Sequence, residues 1–417
     1  MKNVPLSPLN NVWDGDFTRV PYAVYDDRDI YEQEQKTIFK GPVWNFVGLE
    51  CEIPSPGDYA TNWVGETPVI MLRDEKGEIA VLVNRCSHKG SMICYKPQGK
   101  TGRLLTCPYH NWTFRLDGTL NGIAFQRGVA GKGGMPEDFD MTRHNLTRLR
   151  VETISGAVFA TFHPETRPLA DYLGPRHVGQ IRRIFRDGKD MVLLGKCVQS
   201  MDCNWKLYIE NSRDTYHPSL LHSFATRFRI NRLTMEGGLI QDDAGYHHTM
   251  WSKQQGEAED GSYDAGKLRT TSTEVAGLAD PNITRGWREF EDGITAMILS
   301  LFPNTGIQQG QNSLAFRHTI PRGPGKCDLV WRFVGFTDDT EEQRLTRIRQ
   351  SNMFGPGGLI SYEDGAVGEW IQKNVAGDRE ADTVMEMGGR EVGSSPSRVT
   401  ETSVRGFWRT YRDLMSA

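Results

Sequence analysis

Two short segments of the chain each carry a cysteine and a histidine at close spacing. The first reads Cys86-Ser-His88, and the second reads Cys107-Pro-Tyr-His110. Each pair follows a β-rich segment and lies in a turn-like stretch, so two loops can bring four ligand-type side chains to one site. A fold that uses this pattern must hold the two loops side by side. The sequence therefore predicts a small β-rich scaffold with a metal centre between two loops.

The alternation of cysteine and histidine indicates which metal centre the loops hold. A zinc finger usually supplies two cysteines and then two histidines. One of each per loop fits a two-iron cluster in which one iron takes both thiolates and the other takes both imidazoles. The pattern C-x-H then C-x-x-H, with CPYH-x-W at residues 107–112, resembles the Rieske [2Fe–2S] motif. A structural zinc site and loop residues without a metal are the alternatives, and Cys94 between the loops is interpreted as core filler.

Composition excludes several classes of protein. The chain has 417 residues, which favours two or three domains. Its 49 Lys and Arg against 53 Asp and Glu leave a net charge of −4 and no basic field for nucleic acid or anionic lipid. We find no secretory signal, no apolar run near the ~18 residues of a membrane helix, and no disulfide framework. We therefore expect a cytoplasmic protein that binds neither nucleic acid nor membrane.

Turn signals and periodicity predict the organisation of the chain as α+β. Residues 36–165 read as an all-β domain, residues 166–417 as an α+β domain with antiparallel strands, and residues 1–35 as an N-terminal segment packed on the latter. The polar stretch Ser252–Lys267 is expected to be an exposed, mobile insertion.

Two helices are predicted in the C-terminal half. Thr340 and Gln343 form a capping-box pattern that begins a helix running to about Met353. Apolar residues recur at helical spacing from Val404 to Leu414 and predict an amphipathic helix.

A second group of ligand-type residues lies in the segment NWKLYIENSRDTYHPSLLH. On one straight helix His217 and His222 would diverge by about 140°. Pro218 stands between them and breaks or kinks the helix, so both histidines can reach one ion. Two histidines hold iron(II) firmly once a carboxylate joins them, and this facial triad leaves three positions open. Spacing does not identify the carboxylate: Asp214 is either a ligand or a partner of His217. Surface histidines without a metal are the alternative.

The pattern N-W-K-x-x-x-E-N-x-x-D-x-Y-H-x-x-x-x-H after such a domain resembles the large (α) subunit of Rieske non-haem iron ring-hydroxylating oxygenases. The similarity extends over nearly the whole chain. It implies an N-terminal all-β Rieske domain and a C-terminal α+β catalytic domain with an antiparallel sheet of the helix-grip, START-like kind. The implied cofactors are a [2Fe–2S] cluster held by the two Cys/His pairs and a mononuclear Fe(II), with O2 as co-substrate.

The resemblance also implies roles for the residues of the second site. His217 and His222 become iron ligands, and Asp214 becomes the aspartate that bridges to a cluster histidine of a neighbouring subunit. The third ligand is expected in the segment FGPGGLISYEDG, which places Asp364 in that role with Glu363 as its rival. Electrons would then pass from His110 of one subunit through Asp214 to His217 of the next.

Several segments resemble the group of these enzymes that acts on terephthalate, anthranilate and salicylate: FEDGITAMILSLFP, QNSLAFRHTIP, EDGAVGEW and ETSVRGFW. A ring bearing a carboxylate needs an apolar pocket and one fixed cation. Arginine is the preferred cation, because its guanidinium can donate two parallel hydrogen bonds to a carboxylate. The resemblance places Arg317 in the pocket. Alternate residues of a strand point to opposite faces, so the position of Arg317 along its strand decides whether its side chain points inward. Arg398 is similar to a second carboxylate arginine, and two inward arginines would favour a dicarboxylate. The alternative is that Arg317 and Arg398 are solvated surface arginines that bind no substrate.

The implied activity is hydroxylation of an aromatic carboxylate by insertion of one or two oxygen atoms, with a terephthalate-like substrate first and salicylate or anthranilate as alternatives. The chain has no G-x-G-x-x-G fingerprint, so an NAD(P)H-dependent reductase, with or without a ferredoxin, must supply electrons. The family further implies a homotrimer of α subunits or an α3β3 assembly with a small β subunit. Two other classes remain open, namely a Rieske electron-transfer protein without an oxygenase site and a zinc-binding interaction protein.

Overall fold

The structure is a computed structural model that describes residues 8–13, 15–228, 230–242, 244–254 and 280–416. The chain divides into two compact units: Phe39–Tyr172 forms one, and the other joins the residues up to Ile38 with those from Leu173 onward. The predicted insertion at Ser252–Lys267 lies, from residue 255 onward, outside the described residues. Among the helices that are described, none is long and apolar enough to cross a membrane.

The unit Phe39–Tyr172 consists of antiparallel strands. Short apolar segments separated by turns form a seven-stranded sheet in the order β1-β10-β9-β4-β3-β2-β5 and a three-stranded sheet in the order β6-β7-β8. The core includes Ile70, Leu82 and Phe114 and reaches both predicted cysteine ligands. The expected all-β architecture is confirmed. Its strands are β1 (Asn45–Leu49), β2 (Asp58–Val64), β3 (Thr67–Arg73), β4 (Ile79–Val83), β5 (Gln98–Lys100), β6 (Leu104–Thr106), β7 (Thr113–Arg115), β8 (Leu120–Gly122), β9 (Arg148–Ile154) and β10 (Ala157–Thr161).

The second unit packs helices on one antiparallel sheet in the order β11-β17-β16-β15-β14-β13-β12. This arrangement confirms the predicted α+β class. The strands are β11 (Met191–Met201), β12 (Gly237–Gln241), β13 (His248–Ser252), β14 (Ala296–Leu301), β15 (Thr305–Gly310), β16 (Ser313–Pro321) and β17 (Cys327–Phe336). The helices are α1 (Arg28–Thr37), α2 (Leu169–Ile184), α3 (Trp205–Arg213), α4 (Pro218–Leu221), α5 (Ser223–Arg227), α6 (Glu341–Phe354), α7 (Leu359–Val375) and α8 (Thr402–Ser416). Gly174, with a φ of 74°, interrupts α2 close to the boundary between the two units at Tyr172 and Leu173.

Local sequence signals explain where the last helices begin. The Thr340 side chain accepts from the backbone N–H of Gln343, while the Gln343 side chain accepts from that of Thr340, so the capping box opens α6 as predicted. Helix α8 buries Val404, Phe407 and Tyr411, members of its apolar stripe. Both predicted helices are therefore confirmed.

A buried carboxylate joins α1, α3 and α8. Glu34 Oε1 lies 2.6 Å from the Lys206 ammonium and accepts a hydrogen bond of 2.6 Å from the Tyr411 hydroxyl. Its other oxygen accepts from the Trp205 indole N–H at 2.7 Å. Both charged side chains are 0% exposed, so removal of either partner would leave an uncompensated buried charge. This network fixes α3, the helix that leads into the second candidate site.

Candidate functional site

The two Cys/His loops each close through backbone hydrogen bonds. In the loop after β4, the N–H of Cys86 donates to Ser91 and the N–H of Gly90 donates to Cys86. In the loop between β6 and β7, the N–H of Cys107 donates to Trp112 and that of Asn111 donates to Cys107. Asn111 has a φ of 52° and Gly90 a φ of 75°, the left-handed conformation that such tight turns require. Each turn thus holds its cysteine and histidine on a short, closed segment.

The four side chains form a layered arrangement. Cys86 and Cys107 are buried, whereas His88 is exposed and His110 half-buried. The two imidazole rings approach to 4.7 Å between centroids, at an angle of 70°. The Trp112 ring stacks on His88 at 4.7 Å, which fixes the orientation of that imidazole. The thiols therefore lie inside and the imidazoles at the surface.

The chemistry of this donor set fits a two-iron cluster better than zinc. A tetrahedral zinc site would bring all four ligand atoms within about 4 Å of one another, given Zn–S and Zn–N bonds of roughly 2.0–2.3 Å. In the described part of the chain, the only set of three or more such atoms within 4.8 Å lies elsewhere. His110 Nδ1 is buried without a hydrogen-bond partner, as expected of a metal ligand. The structure thus separates the thiols from the imidazoles, as two irons require.

Electrostatics at the loops agrees with this interpretation. Burial and the neighbouring Cys107 thiol raise the pKa of Cys86. Two adjacent thiolates therefore need a positive metal to hold them deprotonated. Burial, together with the charges of His110 and Lys89, lowers the pKa of His88, which keeps that imidazole neutral and able to bind iron.

The second site begins where α3 ends. Asp214 follows the last residue of α3, and its Oδ1 accepts the backbone N–H groups of Tyr216 and His217. Pro218 then begins the short helix α4, and His222 follows its last residue. The chain therefore turns between the two histidines instead of continuing one helix, as the proline predicted.

This turn brings both histidines to one carboxylate on α7. His217 Nε2 and His222 Nε2 each lie 3.4 Å from Asp364 Oδ1. These three ligand atoms all lie within 4.8 Å of one another, and the two rings stand at 76°. Two imidazole nitrogens and one carboxylate oxygen form the donor set that non-haem iron(II) takes. The residues present therefore fit a mononuclear iron site.

The other nitrogen of each imidazole faces a different carboxylate. His222 Nδ1 lies 3.0 Å from Glu363 Oε2, and His217 Nδ1 lies 3.5 Å from Asp214 Oδ2. An Nδ1–H directed at a carboxylate leaves the Nε2 lone pair for the metal and makes it more basic. The geometry thus places Asp364 among the candidate ligand atoms and Glu363 behind His222.

Charge at this site favours a cation. Burial alone would lower the pKa of His217, but its contacts with Asp214 and Asp364 outweigh burial and raise the pKa to about 10. Burial would raise the pKa of Asp364, yet the contacts with His217 and His222 lower it. A metal ion that binds here replaces the proton on His217, in surroundings made negative by Asp214 and Asp364. Protons and the metal therefore compete for His217, so metal binding should weaken as the pH falls.

One further polar residue at this site was not anticipated from the sequence. The side-chain amide nitrogen of Asn211 lies 3.0 Å from Asp364 Oδ1 and 3.4 Å from His217 Nε2, two of the candidate ligand atoms. Asn211 lies on the last turn of α3, one turn before Asp214. Its sequence signal is the Asn of E-N in the pattern N-W-K-x-x-x-E-N, a position for which the sequence indicated no role.

A cavity that is partly open to solvent adjoins the three candidate ligands. The apolar part of its wall includes Ile230, Met250, Ile298, Phe354 and Ile360. A flat apolar molecule in this cavity would lie directly beside the metal site.

The two arginines suggested by the sequence have different positions. Arg317 on β16 lines the cavity, is 5% exposed, and donates from Nη1 to the Tyr208 hydroxyl at 3.2 Å. Arg398 is absent from the residues that line the cavity, and its guanidinium donates to Asn231 Oδ1 at 2.7 Å and to the Arg232 carbonyl. Asn231 itself lines the cavity. Arg398 therefore supports the cavity wall, and Arg317 is part of it.

Comparison with known proteins identifies the family of both parts of the chain. The family model for the Rieske [2Fe–2S] domain matches residues 43–131, and that for the ring-hydroxylating alpha subunit (catalytic domain) matches residues 182–417. The chain is 44% identical to the terephthalate 1,2-dioxygenase terminal oxygenase component subunit alpha 2 of Comamonas sp, over 95% of each chain. It is 41% identical to the anthranilate 1,2-dioxygenase large subunit of Burkholderia cepacia, over 96% of this chain and 94% of that one.

A solved structure with the same fold is that of naphthalene 1,2-dioxygenase from Rhodococcus sp. bound to indole. It superposes with a TM-score of 0.77 at 22% identity and covers 98% of this chain and 96% of that chain. The likeness extends over both compact units.

Proposed function

Because this chain belongs to the ring-hydroxylating oxygenase alpha-subunit family, with a Rieske [2Fe–2S] domain and a mononuclear iron domain, we propose that it hydroxylates an aromatic carboxylate with O2. The observation that carries this proposal is Arg317, a buried cation on the wall of a largely apolar cavity beside the His217, His222 and Asp364 site. A terephthalate-like acid is the first candidate substrate, and salicylate or anthranilate are alternatives, in line with the acids named for the relatives.

The proposed cofactor ligands follow from the two donor sets. Cys86, His88, Cys107 and His110 hold the cluster within residues 36–165. His217, His222 and Asp364 hold the iron within residues 166–417, on which residues 1–35 pack through Glu34. When bound, the cluster supplies electrons singly and the iron activates dioxygen beside the substrate.

The protein's own groups position the reactants. Arg317 binds the substrate carboxylate, and the apolar wall then holds the ring in one orientation next to the open face of the iron site. Glu363 and Asp214 orient the two iron histidines through their Nδ1 atoms. Arg398 holds Asn231 at the cavity wall, where its amide can meet a second substituent of the ring. The second carboxylate of a dicarboxylate would therefore be bound by the Asn231 amide.

The electron supply requires partners. Both cluster imidazoles lie at the surface of their unit, so an electron donor can approach the cluster from that side. We assign this role to an NAD(P)H-dependent reductase, with or without a ferredoxin. The assembly is a homotrimer of α subunits or an α3β3 oligomer with a small β subunit, in which Asp214 would bridge His217 to His110 of a neighbouring subunit and so provide the path for the electron.

Product analysis tests the proposed activity. The protein, with a reductase and NAD(P)H, should convert at least one acid in a panel of terephthalate, anthranilate, salicylate and benzoate to a hydroxylated product that carries 18O from labelled O2. The neutral ring naphthalene serves as the control and should yield no product, because it cannot pair with Arg317. Turnover of naphthalene with no turnover of any acid would overturn the proposal, since the buried cation would then have no role.

The electron route is tested with Asp214→Ala. Reduction of the cluster by the reductase should stay normal, while its reoxidation with substrate and O2 should slow by about 10- to 100-fold, because Asp214 orients His217. Asp202 is an exposed aspartate of the same unit, and the Asp202→Ala variant is the control.

Co-expression of His88→Ala chains with His222→Ala chains tests whether the route runs between subunits, and it should restore part of the activity. Well-assembled mixed oligomers without any activity would exclude the route between subunits.

A further inference from the structure

The register of the catalytic sheet places Arg317 in a row of directly opposed residues. His248 pairs with Ser300, Ser300 with Gly306, Gly306 with Arg317, and Arg317 with Trp331. Residues opposed in this way project from the same face of a sheet. Because Arg317 and Trp331 both line the cavity, this row crosses the face on which the substrate is proposed to lie.

The row presents buried donors without acceptors. Arg317 Nε and Nη2 and the Trp331 indole N–H are buried and make no hydrogen bond within the described residues. The Arg317 guanidinium lies 5.5 Å from the centre of the Trp331 ring, so the two side chains are neighbours at the cavity wall. No described carboxylate forms an ion pair with Arg317. Buried donors are almost always satisfied, so this group of donors indicates a missing acceptor.

Gly306 provides the space in which the Arg317 side chain lies. A Cβ atom at this position would lie 3.0 Å from Arg317 Nε and 3.3 Å from its Cβ, closer than side chains normally approach. Any larger residue would therefore displace the guanidinium. The glycine thus lets the guanidinium lie close against β15.

We propose that Trp331 is a specificity-determining residue, whose indole N–H binds the substrate carboxylate together with Arg317, the arginine that Gly306 allows to lie at the cavity wall. This inference rests on the proposed function. A subsite made only of donors accepts a group with only acceptors, and a carboxylate is such a group. A carboxamide has one carbonyl acceptor and turns an NH2 toward the same donors, so it binds more weakly than the acid. Trp331 therefore helps the protein to distinguish an acid from its neutral amide.

The test is ligand binding to the whole oxygenase under anaerobic conditions, with terephthalate and terephthalamide as the two probes in a calorimeter. Trp331→Phe removes the N–H but keeps an aromatic ring, and it should weaken terephthalate binding about tenfold, since the lost hydrogen bond involves a charged group. Terephthalamide binding should not change. Gly306→Ala should weaken terephthalate binding without removing a donor. Trp251→Phe, next to Met250 on the opposite face of β13, should bind as the native protein does.

The outcomes separate this inference from the proposed function. If Trp331→Phe binds terephthalate unchanged, or weakens both probes equally, Trp331 only packs and the inference is wrong. Arg317→Leu should lose terephthalate binding in either case, which would leave the proposed function in place. If the native protein neither binds nor converts any aromatic acid, the proposed function fails and the inference fails with it. Melting curves of each variant show whether it is folded.

Discussion

Asp364→Ala should abolish hydroxylation and release the mononuclear iron, while the [2Fe–2S] cluster stays reducible. Asp364 Oδ1 is the carboxylate atom that lies 3.4 Å from both Nε2 atoms, so its removal leaves two imidazoles, which hold iron(II) weakly. The cluster ligands belong to the other compact unit and are untouched. Metal analysis should show the loss of one iron per chain, and the visible spectrum of the cluster should be retained.

Glu363→Ala is the matched control, because the two acids are neighbours on α7. Glu363 lies 3.0 Å from His222 Nδ1, on the far side of the ring from Asp364. Its loss should lower iron affinity or activity by about 10- to 100-fold, the usual effect of a group that orients a metal ligand. The assignment would be reversed if Glu363→Ala lost the iron and Asp364→Ala kept both iron and activity.

Cys86→Ser should remove the visible absorption of the cluster and stop electron delivery. Cys86 is 2% exposed and its side chain contacts Cys107, so a serine there would replace one of the two thiolates that we propose as ligands of one iron. Hydroxylation should stop completely, while the iron at His217 and His222 remains in the folded protein. Iron and acid-labile sulfide, measured together, check this result.

Cys94→Ser provides the comparison in the same core. Cys94 is also buried, between the two loops, but it has no histidine two or three residues beyond it. Burial raises the pKa of its thiol to about 12. This variant should keep the cluster. A red-brown Cys86→Ser protein with a full spectrum, or a colourless Cys94→Ser protein, would contradict the ligand assignment.

Features that depend on neighbouring residues were accessible from the sequence. The Cys/His pairs are local, and the capping box at Thr340 needs only three residues, so both were predicted from short segments. The break at Pro218 was also local, because a proline limits its own helix. The fold class and the family followed from these segments and the resemblance, and both are confirmed.

Features that depend on which face of a strand or helix a residue occupies could not be predicted from the sequence. All nine residues of β16 are buried, so no alternation of polar and apolar side chains reveals the direction of Arg317. Adjacent acids on a helix differ by about 100° in direction, and the sequence does not say which of Glu363 and Asp364 faces the histidines. The opposition of Gly306, Arg317 and Trp331 depends on strand register, which only the folded sheet defines.

The ion pair between Glu34 and Lys206 joins segments that are far apart in the sequence. Lys206 lies 172 residues after Glu34, and Tyr411, which also bonds Glu34, lies 377 residues after it. Helix α3 is therefore held by elements that must close long loops before they meet, which costs chain entropy. The unit Phe39–Tyr172 is continuous in the sequence and closes shorter loops, so we expect it to fold faster than the unit that contains Glu34, Lys206 and Tyr411.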